Sequence, residues 1–163
     1  LQDPSTQRKA FERIVKAYSE QLYWQIRRMV VSHDDANDLL QNTFIKAWTN
    51  LDYFRGDAKL STWLYRIAYR TSLDMLRAIK RAAAYPTPEP LEQDPGISEE
   101  LRAVLNTLAP LDRALILERV LDGLDYAALA CIHGRPAAYL RTRYHRAKKQ
   151  LAQRLKEGEH YEV

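Results

Sequence analysis

Residues 126–156 contain no Asp or Glu and carry eight Lys or Arg, in a pattern that predicts two helices around a tight turn. Apolar residues recur with helical spacing in residues 124–132 and again from residue 136 towards 156, on either side of a His-Gly-Arg turn at 133–135. A short helix, a glycine turn and a longer helix form a helix-turn-helix. A basic second helix of this kind fits the major groove of DNA.

At about 100° per residue, the second helix of this pair has one apolar face and one basic face. The apolar face, which we expect to be buried, carries Leu140, Tyr144, Ala147 and Leu151. The opposite face carries Arg135, Ala138, Thr142, Arg146 and Lys149, with Tyr139 to one side. Small residues let a helix enter a groove, and Arg and Thr supply donors for base edges and phosphates. The alternative is a solvated basic face on an ordinary surface helix, but the one-signed charge after such a turn favours DNA binding.

Charge is distributed in blocks along the 163-residue chain. Residues 1–82 have 14 basic and 9 acidic side chains, residues 83–100 have five acidic and no basic ones, and residues 101–163 have 11 basic and 7 acidic ones. Basic surfaces attract nucleic acid, whereas an acidic segment avoids phosphate. The distribution therefore predicts two modules that face nucleic acid and a spacer between them that does not.

The composition predicts an all-α fold, because five glycines and the lack of sustained period-2 alternation leave little room for hairpins. We expect helices over residues 5–31, 33–53, 60–81, 97–108 and 111–121, followed by the helix pair. In the first helix we expect an inner face of Phe11, Ile14, Val15, Tyr18, Leu22 and Ile26. Four of the seven prolines fall in AYPTPEPLEQDPG, which is typical of an extended linker. We therefore expect two small helical bundles, residues 1–82 and 98–158, joined by a Pro-rich linker over 83–97.

The sequence lacks the residue patterns that a metal site, a disulfide or a membrane span requires. Cys131 is the single cysteine, so an intrachain disulfide is impossible, and we expect it to be buried in the first helix of the pair. The four histidines lack metal-ligand spacing, and there is no glycine-rich phosphate loop or nucleophile signature. No stretch approaches the ~20 apolar residues of a membrane span, and no signal peptide is visible. We expect a cytoplasmic, non-enzymatic protein without cofactor, metal site, catalytic residues or membrane insertion.

Two segments of the first module have distinct surface chemistry. The predicted second helix, DDANDLLQNTFIKAWTNL, places Leu40, Phe44, Ala47, Trp48 and Leu51 on its inner side. Asp35, Asp38, Asn42 and Ile45 fall outward, with Leu39 and Gln41 on the flanks, a mixture suited to another protein's helix. From periodicity alone, a plain solvated face is the favoured explanation of this surface. Downstream, aromatic and cationic residues alternate from Tyr53 to Arg77, as in proteins that stack unpaired bases and hold the backbone. Trp63 fits either this role or the core.

These residues resemble a known family. DDANDLLQNTFIKAW, then FRGDAKLSTWLYRIA, then a Leu-Asp-x-Leu-Arg ending, resemble region 2 of bacterial RNA polymerase sigma factors of the extracytoplasmic-function (ECF) group. GLDYAALACIHGRPAAYLRTRYHRAKKQL resembles their region 4. The two motifs cover about two-thirds of the chain, in the family's order and spacing. The resemblance implies a transcription initiation factor that binds core polymerase, directs it to promoters and aids DNA opening.

The resemblance also implies roles for individual residues. Contacts to the clamp helices of the large polymerase subunit would come from Asp35, Asp38, Leu39, Gln41, Asn42 and Ile45. Contacts to the minus-10 element would come from Tyr53, Phe54, Arg55, Lys59, Ser61, Thr62, Trp63, Arg66, Arg70 and Arg77. Contacts to the minus-35 element would come from Arg135, Ala138, Tyr139, Thr142, Arg143, Arg146 and Lys149. The implied partners are core polymerase, through its clamp helices and flap, promoter DNA and an anti-sigma factor.

The chain departs from the family pattern at several positions, which we expect to affect promoter sequence more than fold. Asn42 stands where the family often has Glu, Arg70 where it usually has Asn, and His133 where it has a core Leu. Ala127 and Ala128 replace two Glu, and Tyr139 and Tyr144 replace smaller residues. The alternative function is a helix-turn-helix regulator whose N-terminal part dimerises or senses an effector. Binding of the first module to core polymerase distinguishes the two.

Overall fold

The chain folds into α-helices, as expected. A computed structural model describes residues 3–30, 32–82, 94 and 96–159, and within these residues there is no strand. The helices are α1 (Pro4–Arg27), α2 (His33–Thr49), α3 (Leu60–Ala82), α4 (Glu99–Leu105), α5 (Pro110–Val120), α6 (Tyr126–His133) and α7 (Ala137–Glu159), with a 3₁₀ turn at Leu51–Tyr53. They form two compact units, α1–α3 and α4–α7. Most of the predicted linker, 83–97, lies outside the described residues.

In the first unit, α1, α2 and α3 all pack against one another. Their common core contains Leu22, Ile26, Val30, Ala36, Leu39, Phe44, Ala47, Leu64, Tyr65 and Ala68. Of the predicted inner face of α1, only Leu22 and Ile26 are fully buried, and the four residues before them are half-buried. The core of this unit therefore lies towards the C-terminal half of α1.

Local hydrogen bonds explain where the helices of the first unit begin and end. The Ser5 amide donates to the Asp3 carboxylate (3.2 Å) and the Asp35 amide donates to the Ser32 hydroxyl (3.0 Å), so both helix starts are capped. The predicted second helix was too long, because the Asn50 side chain donates to the Lys46 carbonyl (2.8 Å) and closes α2. The residues from 51 to 53 form the separate 3₁₀ turn instead.

In the second unit, α4, α5 and α6 each pack against α7. The core contains Leu105, Leu108, Leu115, Ile116, Leu117, Leu129, Leu140, Tyr144 and Ala147, with Leu151 packed at its margin. The predicted inner face of the last helix is therefore confirmed. Cys131, which we expected to be buried, is only partly buried. Because one face of α7 is covered by three helices, its opposite face is the surface available to a ligand.

Candidate nucleic-acid and polymerase interfaces

The helix-turn-helix is built from capping residues that fix its turn. The Ala128 amide donates to the Asp125 carboxylate (2.8 Å), which starts α6. Gly134 ends α6 in the left-handed region at φ +63°, where a side chain is strained, and its amide donates to the Ala130 carbonyl (2.9 Å). Pro136 then leads into α7, accepting the Leu140 amide at 3.1 Å. The turn thus sets the direction in which α7 leaves the bundle.

The exposed face of α7 matches the predicted minus-35 surface at most positions. Arg135, Ala138, Tyr139, Thr142, Arg146 and Lys149 are exposed, whereas Arg143 is half-buried. Nε of Arg143 donates to Oδ1 of Asp112 in α5 at 2.5 Å, and one of its terminal nitrogens donates to the Tyr139 hydroxyl at 2.7 Å. The hydrogen bond to Asp112 raises the pKa of the Arg143 guanidinium, and that to Tyr139 adds to this effect. Arg143 is therefore engaged within the unit rather than free on the surface.

Arg141 lies on the other edge of this face, and sequence reasoning missed it. Its guanidinium lies 4.9 Å from the ring centre of Tyr126, and that of Arg119 lies 4.5 Å from the same ring. The aromatic ring of α6 thus contacts guanidinium groups from both α5 and α7. Arg141 is exposed, so this stacking holds a cation at the margin of the basic face. Its position one residue before Thr142 was a signal that could have included it.

A buried polar pair joins α5 to the end of α6. Nε2 of His133 and Oε2 of Glu118 lie 2.7 Å apart, and the two side chains are only 1% and 5% exposed. The resemblance placed His133 where an apolar residue is usual, and the structure shows that Glu118 faces it. A buried carboxylate needs a donor, which this imidazole supplies. The pair lies directly before the turn that positions α7.

The predicted minus-10 residues lie in the segment from the 3₁₀ turn to α3 and along α3. Tyr53 is 75% exposed, and Phe54 stacks at a tilt on Trp63 with ring centres 5.1 Å apart. Arg55, Lys59, Arg70 and Arg77 are exposed, and Phe54, Ser61, Trp63 and Arg66 are half-buried. The loop turns at Gly56, whose φ is +78°. The segment that leads into α3 therefore carries two exposed cations, Arg55 and Lys59, and the partly accessible ring of Phe54, which stacks on Trp63.

Thr62 is not part of the predicted minus-10 surface. Its side chain is buried at 4% exposure, because it lies on the side of α3 that also buries Tyr65 and Ser72. Trp63 is half-buried, and its ring packs against that of Phe54.

The predicted polymerase-binding face of α2 is exposed at most positions. Asp38, Gln41, Asn42 and Ile45 are exposed, and Asp35 is half-buried. Leu39, which we placed on the flank of this face, is instead buried at 4% exposure, with Ala36, Thr43 and Ala47 on the same stripe. The expected inner residue Trp48 is 43% exposed, although its ring contacts Phe11 with ring centres 5.0 Å apart. The buried face of α2 is thus rotated about the helix axis from the predicted inner face. As a result, Leu39 is not available as a surface contact.

The described residues contain neither a candidate metal-binding group nor a helix that could span a membrane. Within residues 3–30, 32–82, 94 and 96–159, no three His, Cys, Asp or Glu side chains are grouped so that they could hold a metal ion. Among those same residues, every helix is too short or too polar to cross a membrane.

The two units match the models of two regions of one protein family. Residues 14–82 match the model of sigma-70 region 2, and residues 98–151 match that of sigma-70 region 4. The ECF RNA polymerase sigma-E factors of Salmonella typhimurium strain LT2 and of Escherichia coli K12 are each 34% identical to this chain, covering 88% of it and 85% of their own length. The ECF sigma factor SigW of Bacillus subtilis is 27% identical, covering 91% of this chain and 90% of its own length.

Solved structures share the fold. The sigma factor RpoE from Bartonella quintana, solved with the anti-sigma factor NepR, gives a TM-score of 0.77 at 24% identity, covering 91% of this chain and 98% of that one. CnrH, solved with the cytosolic domain of CnrY, gives a TM-score of 0.71 at 24% identity, covering 92% and 90%. Taken with the matches to regions 2 and 4 in order, the sequence relatives show that the chain belongs to the family of ECF RNA polymerase sigma factors.

Proposed function

We propose that the first unit of this transcription initiation factor binds core RNA polymerase and the minus-10 element, and that the second unit reads the minus-35 element. The observation that carries the proposal is the exposed basic face of α7, which is turned outward by the burial of Leu140, Tyr144 and Ala147. A helix presented in this way fits the major groove. The regulator alternative is not favoured, because the N-terminal unit matches sigma-70 region 2.

The proposed polymerase contacts are the clamp helices for α2 and the flap for the second unit. An exposed surface of Asp38, Gln41, Asn42 and Ile45 combines charge, amides and an aliphatic side chain that is 62% exposed. Such a mixture is suited to binding a helix of another protein. Because these partners are cytoplasmic, we place the protein there and assign it no catalytic role of its own. The solved complex of RpoE with the anti-sigma factor NepR supports an anti-sigma protein as a further partner.

Run-off transcription with purified core polymerase and a promoter library tests the function directly. We expect the chain to convert core polymerase into an enzyme that starts transcription at a subset of promoters sharing minus-10 and minus-35 elements. Core polymerase alone is the control. Failure to form a complex with core polymerase, combined with specific binding to duplex DNA by the free chain, would instead support the regulator alternative.

The two units should act at different steps of initiation. Replacing Phe54 and Arg55 with Ala should reduce strand opening, measured by permanganate reactivity of unpaired thymines, because stacking is worth about 1–3 kcal/mol per base. Replacing Thr142 and Arg146 with Ala should instead weaken closed-complex formation, and Arg146 alone should cost about 1–3 kcal/mol if it contacts a guanine in bidentate fashion. Each double variant is the control for the other. Equal impairment of the same step by both would contradict this division.

A further inference from the structure

The first turn of α7 contains a tyrosine whose hydroxyl is hydrogen-bonded to an arginine of the same helix, and that arginine is in turn held by α5. Tyr139 is 43% exposed, and its oxygen accepts a hydrogen bond from Arg143 at 2.7 Å. Arg143 in turn donates to the Asp112 carboxylate of α5 at 2.5 Å, with the two side chains 30% and 16% exposed. Arg135 lies 5.9 Å from the same phenol ring centre, on the turn side. The Tyr139 hydroxyl is therefore held in place at the N-terminal end of α7 by hydrogen bonds that connect it, through Arg143, to α5.

This geometry decides the direction in which the hydroxyl can donate. A guanidinium has donors only, so the Tyr139 oxygen must act as the acceptor towards Arg143. The phenolic proton then points away from Arg143, and one oxygen lone pair is already occupied. Because Asp112 holds the guanidinium from the other side, Arg143 cannot turn outward without breaking a charged hydrogen bond. The ligand-facing side of Tyr139 consequently presents a donor.

A hydrogen-bond donor at the position of the Tyr139 hydroxyl can discriminate between bases in the major groove. Guanine presents O6 and N7, adenine presents N7 and thymine presents O4 as acceptors in the major groove, whereas cytosine presents an amino donor. Tyr139 is the third residue of α7, and the N-terminal residues of a recognition helix are those that contact base edges. We propose that Tyr139 is a specificity-determining residue that donates to a base acceptor of the minus-35 element, with Arg143 and Asp112 as positioning residues and not DNA contacts. This inference rests on the function proposed above.

Selection of promoters by the holoenzyme tests the inference. A pool with a randomised minus-35 region should be transcribed with the wild-type chain and with Tyr139→Phe, which keeps the ring and removes only the hydroxyl. We expect the preference at one base position to fall roughly three- to tenfold, the worth of one net hydrogen bond. Lys149→Ala, which removes an exposed cation from the same helix, is the matched control and should lower output across sequences without changing the selected base.

Variants of Asp112 test the positioning role. Asp112→Ala should weaken the preference at the same base position, whereas Asp112→Asn, which retains an acceptor for Arg143, should preserve most of it. Adding Asp112→Ala to Tyr139→Phe should cause no further loss of preference there. A merely structural role would alter helix content, measured by circular dichroism, and not the base preference at one position.

The outcomes separate this inference from the proposed function. If the wild-type holoenzyme selects no minus-35 sequence, the proposed function of the second unit fails. If it does select one, an unchanged profile for Tyr139→Phe overturns the inference. A loss that is uniform across all sequences also overturns it, because the hydroxyl then contacts phosphate. An effect of Asp112→Ala at a different base position would overturn the positioning role.

Discussion

Replacing His133 with Leu should destabilise the second unit by about 3 kcal/mol, because it leaves the buried carboxylate of Glu118 without the hydrogen-bond donor that compensates its burial. The carboxylate of Glu118 lies among buried residues of α5, and the imidazole is the group 2.7 Å from it. Leucine fills a similar volume but donates no hydrogen bond. Since His133 directly precedes the turn into α7, the same variant should also weaken minus-35 binding.

Hydrogen exchange of α5 and α6 in the full chain measures this loss, because it reports the opening of each segment separately. All three tryptophans, at 24, 48 and 63, lie in the first unit, so tryptophan fluorescence is an internal control that should remain unchanged. The matched variant replaces both Glu118 and His133 with Leu. Removing both partners should return stability to within about 1 kcal/mol of wild type. Unchanged exchange in His133→Leu would show that the carboxylate does not need this donor.

Reversing the charge of Asp38 to Arg should lower affinity for core polymerase by at least about tenfold, because unfavourable charge juxtaposition at an interface costs several kcal/mol. Asp38 is exposed in the middle of α2, and its side chain is not needed for the core. The helix should therefore remain folded, with unchanged circular dichroism. Binding is measured by fluorescence anisotropy of the labelled chain titrated with core polymerase.

Glu20→Arg makes the same change of charge on an exposed position of α1 and is the matched control. We expect it to bind core polymerase normally at the ionic strength of the assay. Normal binding by Asp38→Arg would reject α2 as the clamp contact. Equal weakening by both variants would show that total charge, and not the face of α2, controls the affinity.

The outward face of α7 could be predicted from sequence because its period is unambiguous. Leu140, Tyr144 and Ala147 are the apolar residues at helical spacing, and charged residues occupy the positions between them. In α2 the same method correctly placed Phe44 and Ala47 on the inner side but chose a face that is rotated from the buried one. Adjacent Leu39 and Leu40 allow two phases, and the prediction chose the one that included Trp48. Packing against both α1 and α3 selects the other phase, which buries Leu39.

Contacts between helices explain the remaining differences. The resemblance placed Arg143 on the minus-35 surface, but Asp112, 31 residues earlier, engages it. Likewise, Glu118 is 15 residues from His133, and periodicity carries no information about which polar residues will meet in a core. Tertiary contacts of this kind decide whether a polar side chain on a helix faces water or a partner.

The separate cores of the two units have a consequence for promoter strength. Under the proposed function each unit binds its own promoter element, so binding of one unit tethers the other near its element, and the second binding event becomes intramolecular and governed by an effective concentration. Linked binding modules can reach an effective concentration in the millimolar range, which is enough for a weak element to be occupied. Neither of the two proposed DNA-binding surfaces then needs a high affinity for DNA by itself. Promoters can differ in strength through the spacing of their elements as much as through their bases, since a spacing that the connection cannot span removes the gain entirely.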